Sequence, residues 1–199
     1  MDQKINKEIA KKLMEIKGEA RGVILKTDGE FLLKEKGKES IKKAEEESKN
    51  LGYPLKYDEI NSMGFYPIGL RVLSLLIVAS FFDFDEEKVK EMGSDAPKVS
   101  LIIRLFMQHF LSVEKTVKES SRMWKEHYTV GRITPVETDE KEKRLIMRLE
   151  DINLHPLFCS YMAGYFLKIM EMVVKATVTC QETKCCFKGD QYHEYLFKW

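Results

Sequence analysis

Four side chains towards the carboxyl end of the chain are of the types that bind a transition metal. Cys159 lies in an apolar stretch typical of a helix, and Glu182, Cys185 and His193 follow within twelve residues of one another. Thiolate, carboxylate and imidazole groups are the ligands that a tetrahedral zinc ion takes. Because the protein would fill all four positions, such a site stabilises a fold and does not activate water. These residues predict a structural zinc site.

The elements that carry these residues are predicted to bring them together. A strand ending at Glu182 and a last strand beginning at His193 can form a hairpin, in which alternate residues share one face. Cys159 lies on the apolar stripe of the preceding helix, where it can meet that hairpin. Two other interpretations stay open. The cysteines can be small buried hydrophobes beside a core histidine, or Cys180 or Cys186 can replace one of the thiolates.

The length and the charge balance of the chain bound the class of protein. The 199 residues suit one domain with its own core, and 33 Lys and Arg residues nearly cancel 32 Asp and Glu residues. Charge therefore gives no argument for binding nucleic acid or an anionic membrane. The longest apolar run, 72–82, is too short to span a bilayer, and the amino terminus lacks a secretory signal. Four cysteines do not make a disulfide scaffold. We expect a soluble cytoplasmic protein without a membrane span.

The amino-terminal part is predicted to be mostly helical. Apolar residues recur at three- and four-residue intervals in 2–17, and 38–50 has the same spacing among many charges, as amphipathic helices do. Residues 22–26 indicate a short strand, followed by a turn at 28–29. Residues 68–82 are apolar nearly all round, which predicts a helix buried in the interior.

The remainder changes character along the chain. A short helix from 85 is predicted to end at Gly93, and Pro97 is predicted to open a long helix that reaches Tyr128. Then come strands at 129–138 and 143–151, a helix at 156–174, and strands at 175–182 and 192–199. This order predicts an α+β fold, in which an N-terminal helical part precedes an antiparallel sheet in β-β-α-β-β order with helices packed on it. We expect 1–127 and 128–199 to be the two parts of one packed unit.

The carboxyl-terminal residues also carry a resemblance to a known family. The patterns Cys-x-Tyr-x2-Gly from 159, Glu-x2-Cys from 182 and Gly-Asp-x2-His-x-Tyr from 189 resemble those of 4-vinyl reductase domains, also called hydrocarbon-binding domains. That family is similar in fold to TRAPP vesicle-tethering subunits and to heme–nitric-oxide sensor domains. The resemblance, clearest over 128–199, implies zinc bound by Cys159, Glu182 and Cys185. His193 stands where the family has its last cysteine.

The resemblance further implies an interior pocket for a small hydrophobic or aromatic ligand. Candidate lining residues lie on elements that should converge at the helix–sheet interface: Phe106, His109, Phe110, Trp124, Tyr128, Tyr165 and Phe166. Among them His109, Trp124 and Tyr128 have groups that can donate a hydrogen bond to a ligand. An ordinary packed core is the alternative interpretation.

Heme is a second candidate for the same interior. The related nitric-oxide sensors place an axial histidine on a comparable helix, where His109 lies here, and hold the propionates with a Tyr-x-Ser-x-Arg motif. The nearest match in this chain runs from Tyr128 to Arg132 and has valine in place of the serine. That departure argues against heme. His127 and His155 are interpreted as caps or surface contacts near the ends of elements.

Catalysis finds no support in the sequence, which has no Gly-rich phosphate loop and no nucleophile elbow. We therefore predict a non-enzymatic sensor or small-molecule-binding domain with a structural zinc site and an apolar pocket. Its output would pass through a homodimer or a protein partner. Two alternatives are a heme-based gas sensor and a structural adaptor similar to vesicle-tethering subunits. The adaptor predicts a solid interior without a cavity.

Overall fold

The structure, a computed structural model, describes residues 5–99 and 112–199. Within these ranges the elements are α1 (Lys7–Met14), β1 (Glu19–Arg21), α2 (Gly22–Lys36), α3 (Lys38–Asn50), β2 (Phe65–Pro67), α4 (Ile68–Phe81), α5 (Glu86–Val99), α6 (Val113–Lys125), β3 (Arg132–Asp139), β4 (Arg144–Glu150), α7 (Pro156–Val174), β5 (Thr179–Lys184), a 3-10 turn (Cys186–Lys188) and β6 (His193–Lys198). The predicted α+β class is confirmed, with the helical part first and the β-β-α-β-β order after it.

One layer of the fold is a four-stranded antiparallel sheet in the order β3-β4-β6-β5. The last strand, β6, lies between β4 and β5 and is therefore, like β4, an inner strand of this sheet. Alternate residues of β4 and β6 are buried against the helices, among them Leu145, Leu149, Tyr195 and Phe197, as expected for a sheet with one covered face. The small sheet of β1 and β2 lies outside this layer and was not predicted.

The apolar helices α4 and α7 form the centre of the helical layer. His155 caps α7 by accepting a hydrogen bond at Nδ1 from the Leu157 amide at 3.2 Å, and Pro156 occupies the first position, where its missing N–H costs nothing. Among the described residues α7 is the one helix long and apolar enough to cross a membrane, yet 56% of its apolar window is buried inside the fold. We interpret it as a core helix.

The strand predicted at 22–26 and the turn predicted at 28–29 are wrong, because α2 runs through both. Asp28 points inward from the middle of α2 and pairs with Arg71 of α4 at 2.5 Å, and both side chains are fully buried. Ser74 donates to the same carboxylate oxygen at 3.0 Å. An Asp-Gly pair favours a turn where it is exposed; here the buried ion pair and the surrounding packing override that preference.

The helix end predicted at Gly93 is also wrong, since α5 continues through Pro97 to Val99. Gly93 lies where α5 crosses α7, and Gly164 lies opposite it. A Cβ atom at Gly93 would overlap the carbonyl oxygen of Tyr161, and one at Gly164 would overlap that of Lys90. The two glycines therefore allow a backbone-to-backbone crossing of the helices, which is a tertiary role and not a helix stop.

The long helix predicted from Pro97 to Tyr128 is not continuous. Ser112 has an extended conformation, with φ −145° and ψ 154°, and its side chain caps α6. Ser112 Oγ accepts a hydrogen bond from the Lys115 amide at 3.2 Å. The stretch of this predicted helix at 100–111 lies outside the described residues.

Gly93→Ala should lower the free energy of unfolding by about 1–3 kcal/mol, the usual cost of overpacking a tight contact. The added methyl group cannot coexist with the Tyr161 carbonyl unless α5 and α7 separate. Urea unfolding followed by circular dichroism measures the effect. Gly64→Ala is the matched control, since its Cβ would meet the Asn61 carbonyl oxygen at an ordinary 3.4 Å. Equal stabilities of the two variants would contradict the close crossing.

Candidate functional site

The four residues predicted to bind a metal lie together in the structure. One ligand atom from each of Cys159, Glu182, Cys185 and His193 lies within 4.8 Å of all the others. Cys159 Sγ lies 3.9 Å from Cys185 Sγ and 3.6 Å from His193 Nδ1. His193 Nδ1 lies 3.1 Å from Glu182 Oε1. A tetrahedral ion with metal–sulfur bonds of about 2.3 Å sets its two sulfurs about 3.8 Å apart, so the observed separation suits one ion.

Local structure explains how each side chain reaches this cluster. Cys159 lies in the first turns of α7, and His193 begins β6. A register shift between Glu182 and Lys184 interrupts the pairing of β5 with β6, and the chain turns back after Lys184. The Cys185 amide donates to Asp190 Oδ2 at 2.8 Å, and Gly189 adopts a positive φ of 97° that completes the turn. These contacts hold Cys185 between the helix and the strand.

The surroundings of Cys159 disfavour its thiolate form. Burial raises the pKa of the Cys159 thiol well above its usual value, and the neighbouring Glu182 and Cys185 raise it further. Burial likewise raises the pKa of Tyr195, whose hydroxyl is buried and has no hydrogen-bond partner in the described part of the chain. A bound cation reverses this logic by favouring the thiolate. Cys180 and Cys186 are partly buried and lie outside the cluster.

A separate apolar cavity of about 80 Å³ lies between the helices and the strands β3 and β4. Its walls come from α2, α5, α6 and α7 and from the inner face of the sheet. The described lining residues are Val23, Ile24, Thr27, Ala96, Thr116, Val117, Ser120, Met123, Trp124, His127, Tyr128, Ile133, Leu145, Met147, Tyr161, Met162, Tyr165, Phe166, Ile169 and Met170. The interior is therefore not completely filled.

Four of the predicted pocket residues line this cavity: Trp124, Tyr128, Tyr165 and Phe166. The indole N–H of Trp124 donates to the Val130 carbonyl at 2.8 Å, so it is not available as the ligand donor that the sequence suggested. The ring of Tyr128 stacks on that of Trp124, with centroids 4.3 Å apart. The other three predicted lining residues, Phe106, His109 and Phe110, lie outside the described residues.

His127 is one of the cavity residues that were not predicted from the sequence. It was interpreted as a cap or surface contact, but only 7% of it is exposed and it lines the cavity. Its Nδ1 contacts the Met123 carbonyl oxygen at 2.9 Å, and its Nε2 is buried without a hydrogen-bond partner among the described residues. Its spacing of four residues from Met123, on the face that carries Trp124 and Ser120, was the signal that could have indicated an inward position.

The arginine of the incomplete heme motif does not reach the cavity. Arg132 lies at the start of β3 with 58% of its side chain exposed, and it pairs with Glu150 at 3.1 Å and Asp151 at 3.0 Å. The arginine that lies near Tyr128 and Tyr161 is the buried Arg71, whose guanidinium carbon is 4.4 Å from the centroid of the Tyr161 ring. The arginine that the motif predicts, Arg132, therefore lies away from the cavity, and a different arginine, Arg71, lies near Tyr128.

Comparisons with known proteins identify the fold. An H-NOX protein from Shewanella oneidensis in its Fe(II)NO ligation state matches with a TM-score of 0.67 and 12% identity, over 89% of this chain and 98% of that one. An oxygen-binding H-NOX domain related to soluble guanylate cyclases matches with a TM-score of 0.63 and 12% identity, over 89% and 94%. A third structure, solved to study how protein-induced porphyrin distortion modulates heme redox potential, matches with a TM-score of 0.59 and 15% identity. The match covers 90% of this chain and 99% of that one. At these identities the likeness shows the fold alone.

Sequence comparisons match a smaller part of the chain than the structural comparisons do. No protein-family profile matches the chain. An uncharacterized protein of Methanocaldococcus jannaschii is 34% identical over 65 residues, which are 29% of this chain and 38% of that protein. The match thus spans less than half of the curated relative.

The cofactor prediction, a structural zinc ion with heme discounted, is wrong in the light of these structures. It discounted heme because of one valine in a short motif, whereas the fold of 89% of the chain is shared with H-NOX domains described by their iron ligation states. One fold hosts sites of many kinds, so a single changed residue in a short motif does not exclude heme. Heme is therefore among the groups to be tested for this interior, and the four-residue cluster by itself specifies no particular metal.

Proposed function

We propose that this chain is a non-catalytic sensor domain that binds a small molecule in the cavity between its helices and its sheet. The observation that supports this function is an apolar interior space that a buried histidine, His127, helps to line. Interiors are normally packed without such spaces, and a structural adaptor would need none. The proposal includes the ligand class that the resemblance to hydrocarbon-binding domains implies, a small hydrophobic or aromatic molecule. It also includes a cytoplasmic location and an output through a homodimer or a protein partner.

Heme is the prosthetic group that the fold implies, and among the described residues His127 is the histidine that lines the cavity. A histidine whose Nδ1 is held by a backbone carbonyl and whose Nε2 has no partner has the usual arrangement of an iron or metal ligand. His127 would hold the iron from the α6 side of the cavity, and bound heme would supply an iron that takes a diatomic gas. The cavity of about 80 Å³ is smaller than the ~300–1,000 Å³ of common ligand pockets. A porphyrin therefore requires the lining side chains to move apart.

Titration with hemin tests this function, followed by the Soret absorption band. We expect saturable binding of one hemin per chain. Ala96→Leu should weaken it about 5- to 150-fold, because filling a packed space costs about 1–3 kcal/mol. Titration with benzene, followed by NMR of the protein, tests whether the cavity binds a smaller apolar molecule. If neither hemin nor benzene binds the natural chain more tightly than the Ala96→Leu variant, the cavity is not a ligand site and the proposal fails.

We further propose that Cys159, Glu182, Cys185 and His193 together hold one metal ion. The mutual distances of their ligand atoms, all within 4.8 Å, support this proposal. Two thiolates, an imidazole and a carboxylate suit a first-row transition metal, and the identity of the metal depends on availability as much as on affinity. Because α7 and the β5–β6 hairpin supply all the ligands, the ion would tie these elements together and stabilise the position of α7, which also lines the cavity. Its role would be structural and separate from ligand binding.

A further inference from the structure

The four side chains of the metal cluster differ in how far solvent reaches them. Cys159, Cys185 and His193 are buried. Glu182 has 17% of its side chain exposed, against 4% for the His193 ring that it contacts at 3.1 Å. Among the four, Glu182 is therefore the ligand that water or a chelator reaches first.

The 3-10 turn Cys186–Lys188 places an aromatic ring beside this cluster. The ring of Phe187 contacts the imidazole of His193, with centroids 5.9 Å apart and planes inclined at 45°. Phe187 is nevertheless 40% exposed. Part of the ring thus faces solvent while another part covers a candidate metal ligand. Because much of its apolar area is already in water, the ring loses less by turning outward than a fully buried phenylalanine would.

The backbone of the turn is held independently of this ring. The Cys185 amide donates to Asp190 Oδ2 at 2.8 Å. The Cys185 carbonyl oxygen accepts from the Lys188 amide at 2.9 Å and from the Asp190 amide at 3.2 Å. A rotation of Phe187 about its own side-chain bonds breaks none of these hydrogen bonds. The ring can therefore move without displacing Cys185 from the cluster.

We propose that the metal cluster exchanges its ion in the folded protein, on the side where Glu182 is exposed, and that the ring of Phe187 is the gate. This inference rests on the proposed metal site and adds how the ion enters and leaves it. The ring turns outward from His193, and Glu182 lets go before the three buried ligands do. Such a local opening requires far less free energy than unfolding of the whole domain.

Removal of Co²⁺ from the loaded chain by excess EDTA tests the gate, followed by the decay of the thiolate charge-transfer absorption. Phe187→Ala should release Co²⁺ about 2- to 12-fold faster than the natural chain, the worth of one contact between aromatic rings. Uptake should be faster by the same factor, so that the affinity is unchanged. Phe187→Tyr keeps the ring and should exchange Co²⁺ at the natural rate.

Phe65→Ala is the matched control for these rates. Phe65 is exposed to a similar degree, 37%, but its ring lies against Arg21, whose guanidinium carbon is 4.8 Å from the ring centroid. It lies in β2, which supplies no residue to the metal cluster. Its loss should leave release and uptake of Co²⁺ at the natural rates.

A measurement on the natural chain keeps the test independent of how the variants fold. Release of Co²⁺ should have a nearly constant rate at urea concentrations below the unfolding transition, because a local opening exposes little surface. A rate that rises with urea in parallel with global unfolding would place the exchange in the unfolded chain and overturn the inference.

The variants separate failure of the gate from failure of the metal site. If the natural chain binds Co²⁺ but Phe187→Ala exchanges it no faster than Phe65→Ala, the metal site stands and the gate is wrong. The gate is also wrong if Phe187→Ala releases Co²⁺ faster but takes it up no faster, since the ring then stabilises the loaded site. If the natural chain binds no Co²⁺, both proposals fall.

Discussion

Arg71→Met lowers the free energy of unfolding by about 3–5 kcal/mol, the cost of removing one partner of a buried ion pair. The substitution leaves the Asp28 carboxylate in the interior with Ser74 as its remaining hydrogen-bond donor. Chemical unfolding at neutral pH measures the loss. Arg148→Met is the matched control, because Arg148 pairs with Glu194 at 2.9 Å but has 30% of its side chain exposed, and such pairs contribute about 1 kcal/mol or less.

The combined variant Asp28→Leu and Arg71→Met should recover most of that stability, because apolar side chains of similar volume replace a buried pair at little cost. A double variant no more stable than Arg71→Met would show that the unpaired Asp28 carboxylate is not the cause of the loss. The dependence on pH gives an independent check. Burial raises the pKa of Asp28 to about 6 in the fold, above the value of about 3.9 in an unfolded chain.

The sign of this pH effect follows from linkage. A carboxyl whose pKa is raised on folding favours the native state below its unfolded pKa, and loses that contribution as the pH rises through its folded value. Without Arg71 the pKa of Asp28 should rise further. The stability difference between Arg71→Met and the natural chain should therefore be smaller at pH 5 than at pH 8. A difference that is constant across this window would contradict the assignment of the loss to Asp28.

Cys185→Ser should weaken binding of a transition metal by at least about 100-fold, the upper end of what even loss of an outer-shell partner costs. Co²⁺ is the probe, since its thiolate charge-transfer absorption reports sulfur ligation. Titration of the natural chain should saturate at one Co²⁺ per chain, and mass spectrometry of the purified protein identifies the natural metal. Metal binding should also raise the melting temperature, because its free energy adds to the stability of the fold.

Cys186→Ser is the matched control for that experiment. Cys186 is the next residue along the chain, but it lies outside the cluster of ligand atoms, in the 3-10 turn after β5. Its loss should leave both the affinity for Co²⁺ and the absorption spectrum unchanged. If the two serine variants bind Co²⁺ equally, or if the natural chain binds none, the four residues do not form a metal site.

Local patterns predicted those elements whose sequence and environment agree. The helices α3 and α4 and the core helix α7 lie where spacing and caps placed them, and the hairpin of β3 and β4 follows its alternating residues. The errors fall where a tertiary contact reverses a local preference. Asp28 was predicted to lie in a turn, but its buried ion pair with Arg71 holds it inside α2. Gly93 was predicted to end a helix, but its close contact with α7 holds it inside α5.

The candidate site divides in the same way. Residue types and strand periodicity predicted which four side chains could meet as a metal cluster, because alternate positions on a strand share a face. They did not predict His127, since the orientation of a ring at the end of α6 depends on the Met123 carbonyl and on the helices packed around it. The division of the chain at 127 and 128, and the dimer, stay predictions.

The sequence by itself determined the fold class, the order of the elements from β3 onward and the chemistry available near the carboxyl end, since these depend on periodicity and residue type. Only the tertiary structure decided that an apolar space lies beside α6 and that the buried His127 helps to line it. The reason is physical: a cavity is the volume that several distant elements fail to fill together, and no local stretch of sequence records that sum.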